Sequence, residues 1–270
     1  MNLKKYLERI KYTDRLEITD EVLFKLHQQH VHQVPFENVD IYLKRHFSLE
    51  LEKVFQKIVS HKRGGFCYEL NLLFNWLLNE VGFSSRIIAS RIYNENGTLG
   101  PPFDHMSGYV KTNKAFLVDV GYGDLFVIPL EIKEGIQYDG RNYFRIEKLN
   151  ENDFSLSMSP DGLEFQKRYL FSLDTVHLDA FTSICFDKQT HPNSYFVKNL
   201  VCTKPTQNGR ITIFNEKLIE KNNRHKTETL LQGNDVLKTY LKDKFDMEVD
   251  MDFIPYHQPK MVVPVGINEI

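Results

Sequence analysis

Cysteine is scarce in this chain, whose 270 residues include three: Cys67, Cys185 and Cys202. An odd, sparse set does not build a disulfide framework, and it fits a reducing compartment where a free thiolate survives. Long apolar runs are also missing, since none reaches the roughly 18 residues that indicate a membrane-spanning helix. The first residues, MNLKKYLERIKY, have no apolar stretch after their basic residues, unlike a secretory signal. We therefore expect a cytoplasmic protein without a membrane partner.

An excess of basic residues is absent as well. Lysine and arginine number 34 against 36 aspartates and glutamates, a formal net charge of -2. The basic surface of a nucleic-acid-binding protein is therefore missing. The hydrophobic fraction of 41% and the charged fraction of 26% are ordinary for a soluble globular protein. A chain of this length can form one large domain or two to three smaller ones.

Three regions differ in the spacing of their apolar residues. Residues 1–85 show helical spacing, most clearly from Tyr68 to Val81, where the run stops at Gly82. Residues 86–188 hold short strand-like runs separated by turn clusters such as NENGTLGPP, which predicts an antiparallel sheet or barrel. Residues 189–270 combine strand-like runs with a helix. The sequence thus predicts an α+β fold: a helical domain, a β domain and a smaller α/β segment.

Two details of the last region are also predicted. The helix is expected around residues 235–245. The segment EKNNRHKTE, residues 220–228, has mixed charge and is expected to be a solvated loop.

Cys67 lies in the stretch RGGFCYELN, at the start of the long apolar helix. A cysteine in a first helical turn lies among unpaired N–H groups and near the positive end of the helix dipole, which lowers the pKa of a thiol. The side chains missing at Gly64 and Gly65 would let a substrate carbonyl approach the backbone. From this segment alone two interpretations stay open: a nucleophile, and a buried small residue at a tight helix entry.

A thiolate needs a base, and the base needs an orienting group. The segment DHMSGYVKTNKAFLVDVGYG is typical of a β-hairpin. In one register His105 faces Asp119 directly and the apolar side chains share the other face; a slip of one residue would bury both polar groups in apolar surroundings. The first register is favoured, and it brings the imidazole within hydrogen-bonding reach of the carboxylate. Such a pair can be structural, but together with Cys67 it indicates a Cys–His–Asp triad.

Other histidines and cysteines carry less information. The segment HQQHVHQ, residues 27–33, has three histidines but no cysteine or carboxylate at ligand spacing, so no metal site is predicted. Cys185 and Cys202 are expected to pack as small apolar residues.

Taken together, RGGFCYELN, VPFEN (34–38), HMSGYV, VDVGYG and HPNSYF (191–196) resemble the motifs of the arylamine N-acetyltransferases, in order and spacing, over nearly the whole chain. The resemblance implies an N-terminal helical bundle (1–85) carrying Cys67, a central antiparallel β-barrel (86–188) carrying His105 and Asp119, and a C-terminal α/β lid (189–270). The catalytic core would be papain-like.

The resemblance also implies an activity. Cys67 would be the nucleophile, His105 its base and Asp119 the orienting acid. The acetyl donor would be acetyl-CoA, and the acceptor an arylamine, arylhydroxylamine or hydrazine that attacks an acetyl-cysteine in a ping-pong mechanism. A thiol hydrolase or a transglutaminase-like enzyme with the same triad is the alternative, against which PFEN and HPNSYF weigh.

Further positions match the family pattern. The resemblance places Phe36 and Tyr122 in the acceptor pocket, where many relatives have phenylalanine in place of Tyr122. It implies a buried ion pair of Glu37 with Arg63 that braces the Cys67 turn. The residues that it implies for CoA contact are Pro102, Phe103, Asn193 and Ser194.

Overall fold

A computed structural model describes residues 1–222 and 225–249 of the chain. The N-terminal region is mostly helical. Its helices are α1 (Leu3–Arg9), α2 (Asp20–Gln33), α3 (Val39–Tyr42), α4 (Leu51–Phe55), which continues into a π-helical turn (Gln56–Ser60), and α5 (Cys67–Val81). The hydroxyl of Thr19 accepts a hydrogen bond from the N–H of Val22 at 3.3 Å and so caps α2.

Helix α5 lies in the centre of this region. Most of its side chains are buried, including those of Leu70, Leu73 and Leu77, as expected for a helix that is apolar on most sides. It ends at Gly82, whose φ of 109° is a left-handed conformation that a glycine adopts without strain. The predicted helix and its stop are confirmed.

The middle of the chain forms a nearly closed antiparallel barrel. Its strands are β2 (Ser84–Ile92), β3 (His105–Lys111), β4 (Ala115–Val118), β5 (Leu130–Glu131), β6 (Gly135–Tyr138), β7 (Tyr143–Lys148), β8 (Asp153–Ser159) and β9 (Gln166–Ser172), in the order β5-β4-β3-β2-β9-β8-β7-β6. The side chain of Gln137 bridges the two edge strands: its carboxamide accepts from the Glu131 N–H and donates to the Glu131 carbonyl, both at 2.8 Å.

The β3–β4 hairpin has the predicted faces but a different register. Gly108 pairs with Val118 and Lys111 with Ala115, so the pairing is shifted by two residues from the one that sets His105 opposite Asp119. A shift of two keeps every side chain on its face. Met106 and Phe116 accordingly lie in the core beneath α5. The direct His105–Asp119 pairing is therefore wrong, because the turn is centred on Asn113, where the Thr112 N–H donates to the Lys114 carbonyl.

The C-terminal region begins with a 3-10 turn (Leu178–Phe181), α6 (Thr182–Thr190) and α7 (Tyr195–Lys198). A five-stranded antiparallel sheet follows, in the order β1-β10-β11-β12-β13, from β1 (Phe36–Glu37), β10 (Val201–Thr206), β11 (Gly209–Phe214), β12 (Lys217–Asn222) and β13 (His225–Leu230). Helix α8 (Asn234–Phe245) packs on it through Leu237, Leu241 and Phe245, close to the predicted position.

Two expectations are corrected by this sheet. Residues 220–222 and 225–228 belong to strands β12 and β13 instead of a loop, because their backbones pair in a ladder that runs from Lys217–Leu230 to Asn222–His225. Their side chains are half-buried or exposed. Strand β1 comes from the predicted helical region, and its two residues pair with Thr203 and Cys202 of β10.

The structure confirms the α+β class with an antiparallel barrel. The domain boundaries at residues 85 and 188 stay a prediction, and the part of the predicted lid at residues 250–270 lies outside the described residues. Each helix among the described residues is too short or too polar to span a bilayer.

Candidate active site

Cys67 is the first residue of α5, and its side chain is buried. The carboxylate of Glu69 accepts a hydrogen bond from the N–H of Phe66 at 2.9 Å, which closes the entry turn of the helix. The same oxygen lies 2.7 Å from the ammonium of Lys57. The buried carboxylate of Glu69 thus stabilises the backbone turn that leads into Cys67.

The space beside the two glycines before Cys67 is occupied by other atoms of the protein and not left open for a substrate. A Cβ on Gly64 would lie 2.3 Å from the carbonyl oxygen of Pro35 and 2.6 Å from Cγ of Glu37. A Cβ on Gly65 would lie 3.0 Å from Ile58. The expectation that they open the site to a substrate is wrong, because the PFEN segment fills the space at Gly64, and Ile58 and Leu70 fill the space at Gly65.

The surroundings of Cys67 disfavour the charged form of its thiol. Burial raises its pKa well above the ordinary value, and the carboxylates of Asp119 and Asp104 act in the same direction. The ammonium of Lys188 opposes them. The prediction that the helix dipole lowers this pKa is wrong, because removing water from a buried sulfur outweighs the field of the helix end. A nucleophilic role for Cys67 would require a base inside the site to take its proton.

His105 and Asp119 form a buried hydrogen-bonded pair. Nε2 of His105 lies 2.7 Å from Oδ2 of Asp119, and the two side chains are 4% and 0% exposed. Burial alone raises the pKa of Asp119, but His105, together with hydrogen bonds from Asn71 and Gly121, outweighs it and lowers the pKa below its ordinary value. The acid is ionised, and Nδ1 of His105 is the ring nitrogen left for another partner.

Asn71 connects this pair to the cysteine helix. Its Nδ2 donates to Oδ1 of Asp119 at 2.9 Å and to the carbonyl of Met106 at 2.6 Å. Its Oδ1 accepts from the N–H of Val120 at 2.9 Å. Because Asn71 follows Cys67 by four residues, the two share a face of α5. The structure thereby places Asp119, and with it His105, beside the helix that begins at Cys67.

The predicted ion pair of Glu37 and Arg63 is part of a larger buried cluster. Arg63 Nη2 lies 2.7 Å from Glu37 Oε1 and 3.0 Å from Asp40 Oδ1. Lys57 lies 2.7 Å from both Asp40 and Glu69. Burial alone would lower the pKa of Lys57, but the carboxylates of Glu69, Glu37 and Asp40 raise it. The cluster is a charged network beneath the Cys67 turn, and Lys57 and Asp40 are members that the sequence did not indicate.

Phe36 and Tyr122 line a small cavity beside the acid. Its volume is ≈ 20 Å³, and Asp119, Thr203 and Arg210 also line it. The ring of Tyr122 meets the ring of His105 edge to face, with centroids 5.5 Å apart. The space holds about one water molecule, so an aromatic ring would enter only after side chains at the cavity shift.

The four positions matched to CoA contact lie on two surface segments. Pro102 and Asn193 are exposed, and Phe103 is half-buried with its ring 5.4 Å from that of Phe181. The hydroxyl of Ser194 donates to the Lys188 carbonyl and accepts from the N–H of Phe196. That hydroxyl is therefore engaged within its own segment.

Two residues beside the site carry no sequence signal. Tyr169 of β9 is fully buried, with its ring 5.5 Å from that of His105. Lys188 of α6 lies 2.6 Å from the carboxylate of Asp104, next to His105. Both come from distant segments without a motif, so only the fold identifies them. Within residues 1–222 and 225–249, no group of three or more histidine, cysteine, aspartate or glutamate side chains is placed to hold a metal ion.

Known proteins are similar to this chain in sequence. The model of a family described as N-acetyltransferase matches residues 19–254. The arylamine N-acetyltransferase, pineal gland isozyme NAT-10, of Gallus gallus is 31% identical over 281 residues, which cover 94% of this chain and 97% of the chicken protein.

Known structures share the fold. The arylamine N-acetyltransferase of Salmonella typhimurium, 25% identical, gives a TM-score of 0.86 over 93% of this chain and 92% of that one. The Mycobacterium marinum arylamine N-acetyltransferase in complex with CoA, 26% identical, gives 0.83 over 91% and 93%. With a family model that spans most of its length and a relative that matches from end to end, the chain is an acyltransferase that belongs to the arylamine N-acetyltransferase family.

Proposed function

We propose that this protein transfers the acetyl group of acetyl-CoA to an aromatic amine through an acetyl thioester on Cys67. The observation that carries the proposal is the 2.7 Å bond between His105 and Asp119, tied through Asn71 to the helix that begins at Cys67. The names of the relatives and the CoA complex of the M. marinum protein support the donor and the acceptor class.

In the first half-reaction, Nδ1 of His105 takes the proton of the Cys67 thiol. The sulfur attacks the thioester carbonyl, and the N–H groups in the first turn of α5, which have no intrahelical acceptor, are placed to donate to the oxyanion. The bond from the acetyl carbon to the CoA sulfur then breaks. The imidazolium returns its proton to the departing CoA thiolate, and Asp119 stabilises the imidazolium while it lasts.

In the second half-reaction, the amine nitrogen attacks the acetyl-cysteine. His105 takes a proton from the attacking nitrogen, the carbon–sulfur bond of the acetyl-enzyme breaks, and Cys67 recovers its proton. An aromatic amine is largely uncharged at pH 7 and attacks without first losing a proton. Arylhydroxylamines and hydrazines meet the same requirement, so they belong to the proposed acceptors.

Substrate positions follow from the same assignment. Phe36 and Tyr122 contact the aromatic ring of the acceptor beside Asp119. Pro102 and Phe103, together with Asn193 and Ser194, contact CoA. The hydroxyl, the N–H and the carbonyl of Ser194 already make hydrogen bonds within the protein, so that residue contributes mainly by shape. The Glu37–Arg63 cluster holds the Cys67 turn and takes no part in proton transfer.

The test is to mix the protein with acetyl-CoA and to follow free CoA with and without an aromatic amine. One equivalent of CoA released without amine, with one acetyl group on the Cys67 peptide by mass spectrometry, is the expected result. Continued release should require amine. Cleavage of casein without CoA release would instead establish a thiol hydrolase and overturn the proposal.

A further inference from the structure

His27 of α2 contacts the backbone of the acid. Its Nε2 lies 3.2 Å from the amide nitrogen of Asp119, and its Nδ1 lies 3.1 Å from the carbonyl oxygen of Val127. The side chain is fully buried. Its ring stacks on Phe126 at 5.5 Å and meets Phe74 edge to face at 5.7 Å. Both ring nitrogens of His27 therefore bind loops of the barrel from a helix outside it.

These two partners fix the tautomer of His27. A backbone amide can only donate, so Nε2 is the unprotonated nitrogen that accepts from Asp119. A carbonyl can only accept, so the proton is on Nδ1. Burial, opposed by the hydrogen bonds and by the charge of Asp119, lowers the pKa of His27 to about 4, and the ring therefore stays neutral near pH 7.

The contact between His27 and the Asp119 amide lies just beyond the end of strand β4. Strand β4 ends at Val118, and its last pair with β3 is Gly108 with Val118. The amide of Asp119 thus lies one residue past the ladder, and His27 supplies the acceptor that a strand would have supplied. A buried amide without a partner is costly, so His27 is one of the groups that hold the backbone bearing the carboxylate, together with Asn71, which accepts from the N–H of Val120.

We propose that His27 is a positioning residue for the triad: its Nε2 holds the Asp119 amide so that the carboxylate points at His105. This inference rests on the proposed function only for its rate measurement. His27 touches no substrate and transfers no proton. It acts through Asp119, and its effect belongs to the acetylation of Cys67.

Two substitutions separate this role from simple packing. The carboxamide oxygen of His27→Gln reaches the position of Nε2 and can accept from Asp119, whereas the carboxamide nitrogen of His27→Asn reaches the position of Nδ1 and can donate only to Val127. We expect His27→Asn to slow single-turnover CoA release on the order of 10²-fold per folded molecule, the cost of a misplaced catalytic group. We expect His27→Gln to stay within about fivefold of the wild type, as for loss of one ordinary hydrogen bond.

His30 offers a matched control one turn further along α2. It is also fully buried and meets Phe74 edge to face at 5.3 Å, but its Nδ1 bonds the hydroxyl of Tyr6, and it has no contact with Asp119. His30→Gln should lower the melting temperature while the rate of CoA release per folded molecule stays at the wild-type value. Equal rates for His27→Asn and His27→Gln, or losses that follow only the melting temperatures, would overturn the proposal.

Two further readouts do not depend on acetyl transfer. The ¹⁵N shifts of the His27 ring in the wild-type protein should show the Nδ1–H tautomer, and an Nε2–H ring would refute the assignment even if no variant folds. Alkylation of Cys67 by iodoacetamide should change its pH profile in His27→Asn and keep it in His27→Gln. If the wild type releases no CoA but these results hold, the proposed function fails and the positioning role stands.

Discussion

Gly121 packs directly against the first turn of the cysteine helix. A Cβ on Gly121 would lie 2.7 Å from the carbonyl oxygen of Cys67, 2.9 Å from its Cα and 2.5 Å from Nδ2 of Asn71. The segment that follows Asp119 therefore touches the backbone of the proposed nucleophile without an intervening side chain. The separation of carboxylate and sulfur is set by contact between two backbones.

Gly121→Ala should consequently slow acetylation of Cys67 while the protein stays folded. The added methyl group pushes the Asp119 segment away from α5, and a misplacement of this kind costs about 10²-fold in rate. Single-turnover CoA release measures the effect.

Gly140 provides the control for this substitution. It has a φ of 94°, yet a Cβ there would meet no atom within 4 Å. Gly140→Ala should cost about 1–2 kcal/mol of stability, from the left-handed backbone, and leave the rate of acetylation unchanged. Equal rates in the two alanine variants would show that the Gly121 contact does not position the acid.

Asp119→Asn should keep the fold and remove most of the activity. Oδ1 of the new side chain would still accept from Asn71 and Gly121, so its NH₂ group would face Nε2 of His105. That nitrogen would then have to accept, and the ring proton would move to Nδ1, the atom that must take the thiol proton. We expect CoA release to fall on the order of 10⁴-fold, with an unchanged circular dichroism spectrum. Wild-type kinetics in this variant would remove Asp119 from the triad.

Arg63→Met should destabilise the protein strongly. The substitution leaves Glu37, which is fully buried, without Arg63, whose Nη2 and Nε both donate to Oε1 of Glu37, at 2.7 and 3.1 Å. Breaking a buried pair in this way costs about 3–5 kcal/mol. Lys53→Met is the control, because its 2.6 Å pair with Glu50 is exposed, and such pairs are worth about 1 kcal/mol or less. Urea unfolding compares the two; similar losses would mean that the buried cluster adds no stability.

Stability should fall as the pH is lowered from 7 to 4, in part because of His27. Burial lowers its folded pKa to about 4, against an ordinary value of 6.5. Between these values the unfolded chain binds a proton that the folded chain excludes, so acid favours unfolding. The contribution is about 3 kcal/mol, fully lost at pH 4 and restored above pH 6.5.

Urea unfolding at pH 4.5 and pH 7.5 tests this dependence. His27→Gln has no titrating ring and should show a smaller loss between the two pH values than the wild type. The remaining slope includes His30, whose pKa burial also lowers. An identical slope in the variant would mean that His27 is charged in the folded protein.

Two buried tyrosines should differ in the stability that loss of the hydroxyl costs. The hydroxyl of Tyr6 bonds Nδ1 of His30 at 2.9 Å, whereas that of Tyr169 faces the carboxylate of Asp119 without a hydrogen bond of normal geometry. Tyr6→Phe should cost about 1 kcal/mol, and Tyr169→Phe should cost less, because the weaker contact with Asp119 is all that it removes. Thermal unfolding at pH 7 compares them; equal losses would show that Tyr169 and Asp119 form a full hydrogen bond.

Local patterns predicted what depends on local physics. The spacing of leucines predicted helix α5, and Gly82 predicted where that helix ends. The alternation of polar and apolar residues predicted the two faces of the β3–β4 hairpin. The register was missed by two residues because the position of the turn at Asn113, and not the pattern, decides it. The polar and apolar pattern cannot distinguish the predicted register from the observed one, because a shift of two residues leaves Met106 in the core in both.

Features of the site that depend on packing between distant segments could not be predicted from the sequence. The space at Gly64 is filled by Pro35, 29 positions earlier in the sequence, and the pKa of Cys67 reflects burial by segments far away along the chain. His27 lies in a segment with three histidines, where nothing local distinguishes the one that reaches Asp119. These relationships appear only when the helices meet the barrel.

Strand β1 has a consequence for how small a working catalyst of this kind can be. Phe36 bridges Gly65 on one side and Thr203 of β10 on the other, so the distal sheet is joined by main-chain pairing to the loop just before Cys67. A fragment cut after the barrel would lose the β10 side of this pairing and leave backbone groups of β1 without partners. We therefore expect the smallest active fragment to extend at least through β10, even though Cys67, His105 and Asp119 lie in the first half of the polypeptide.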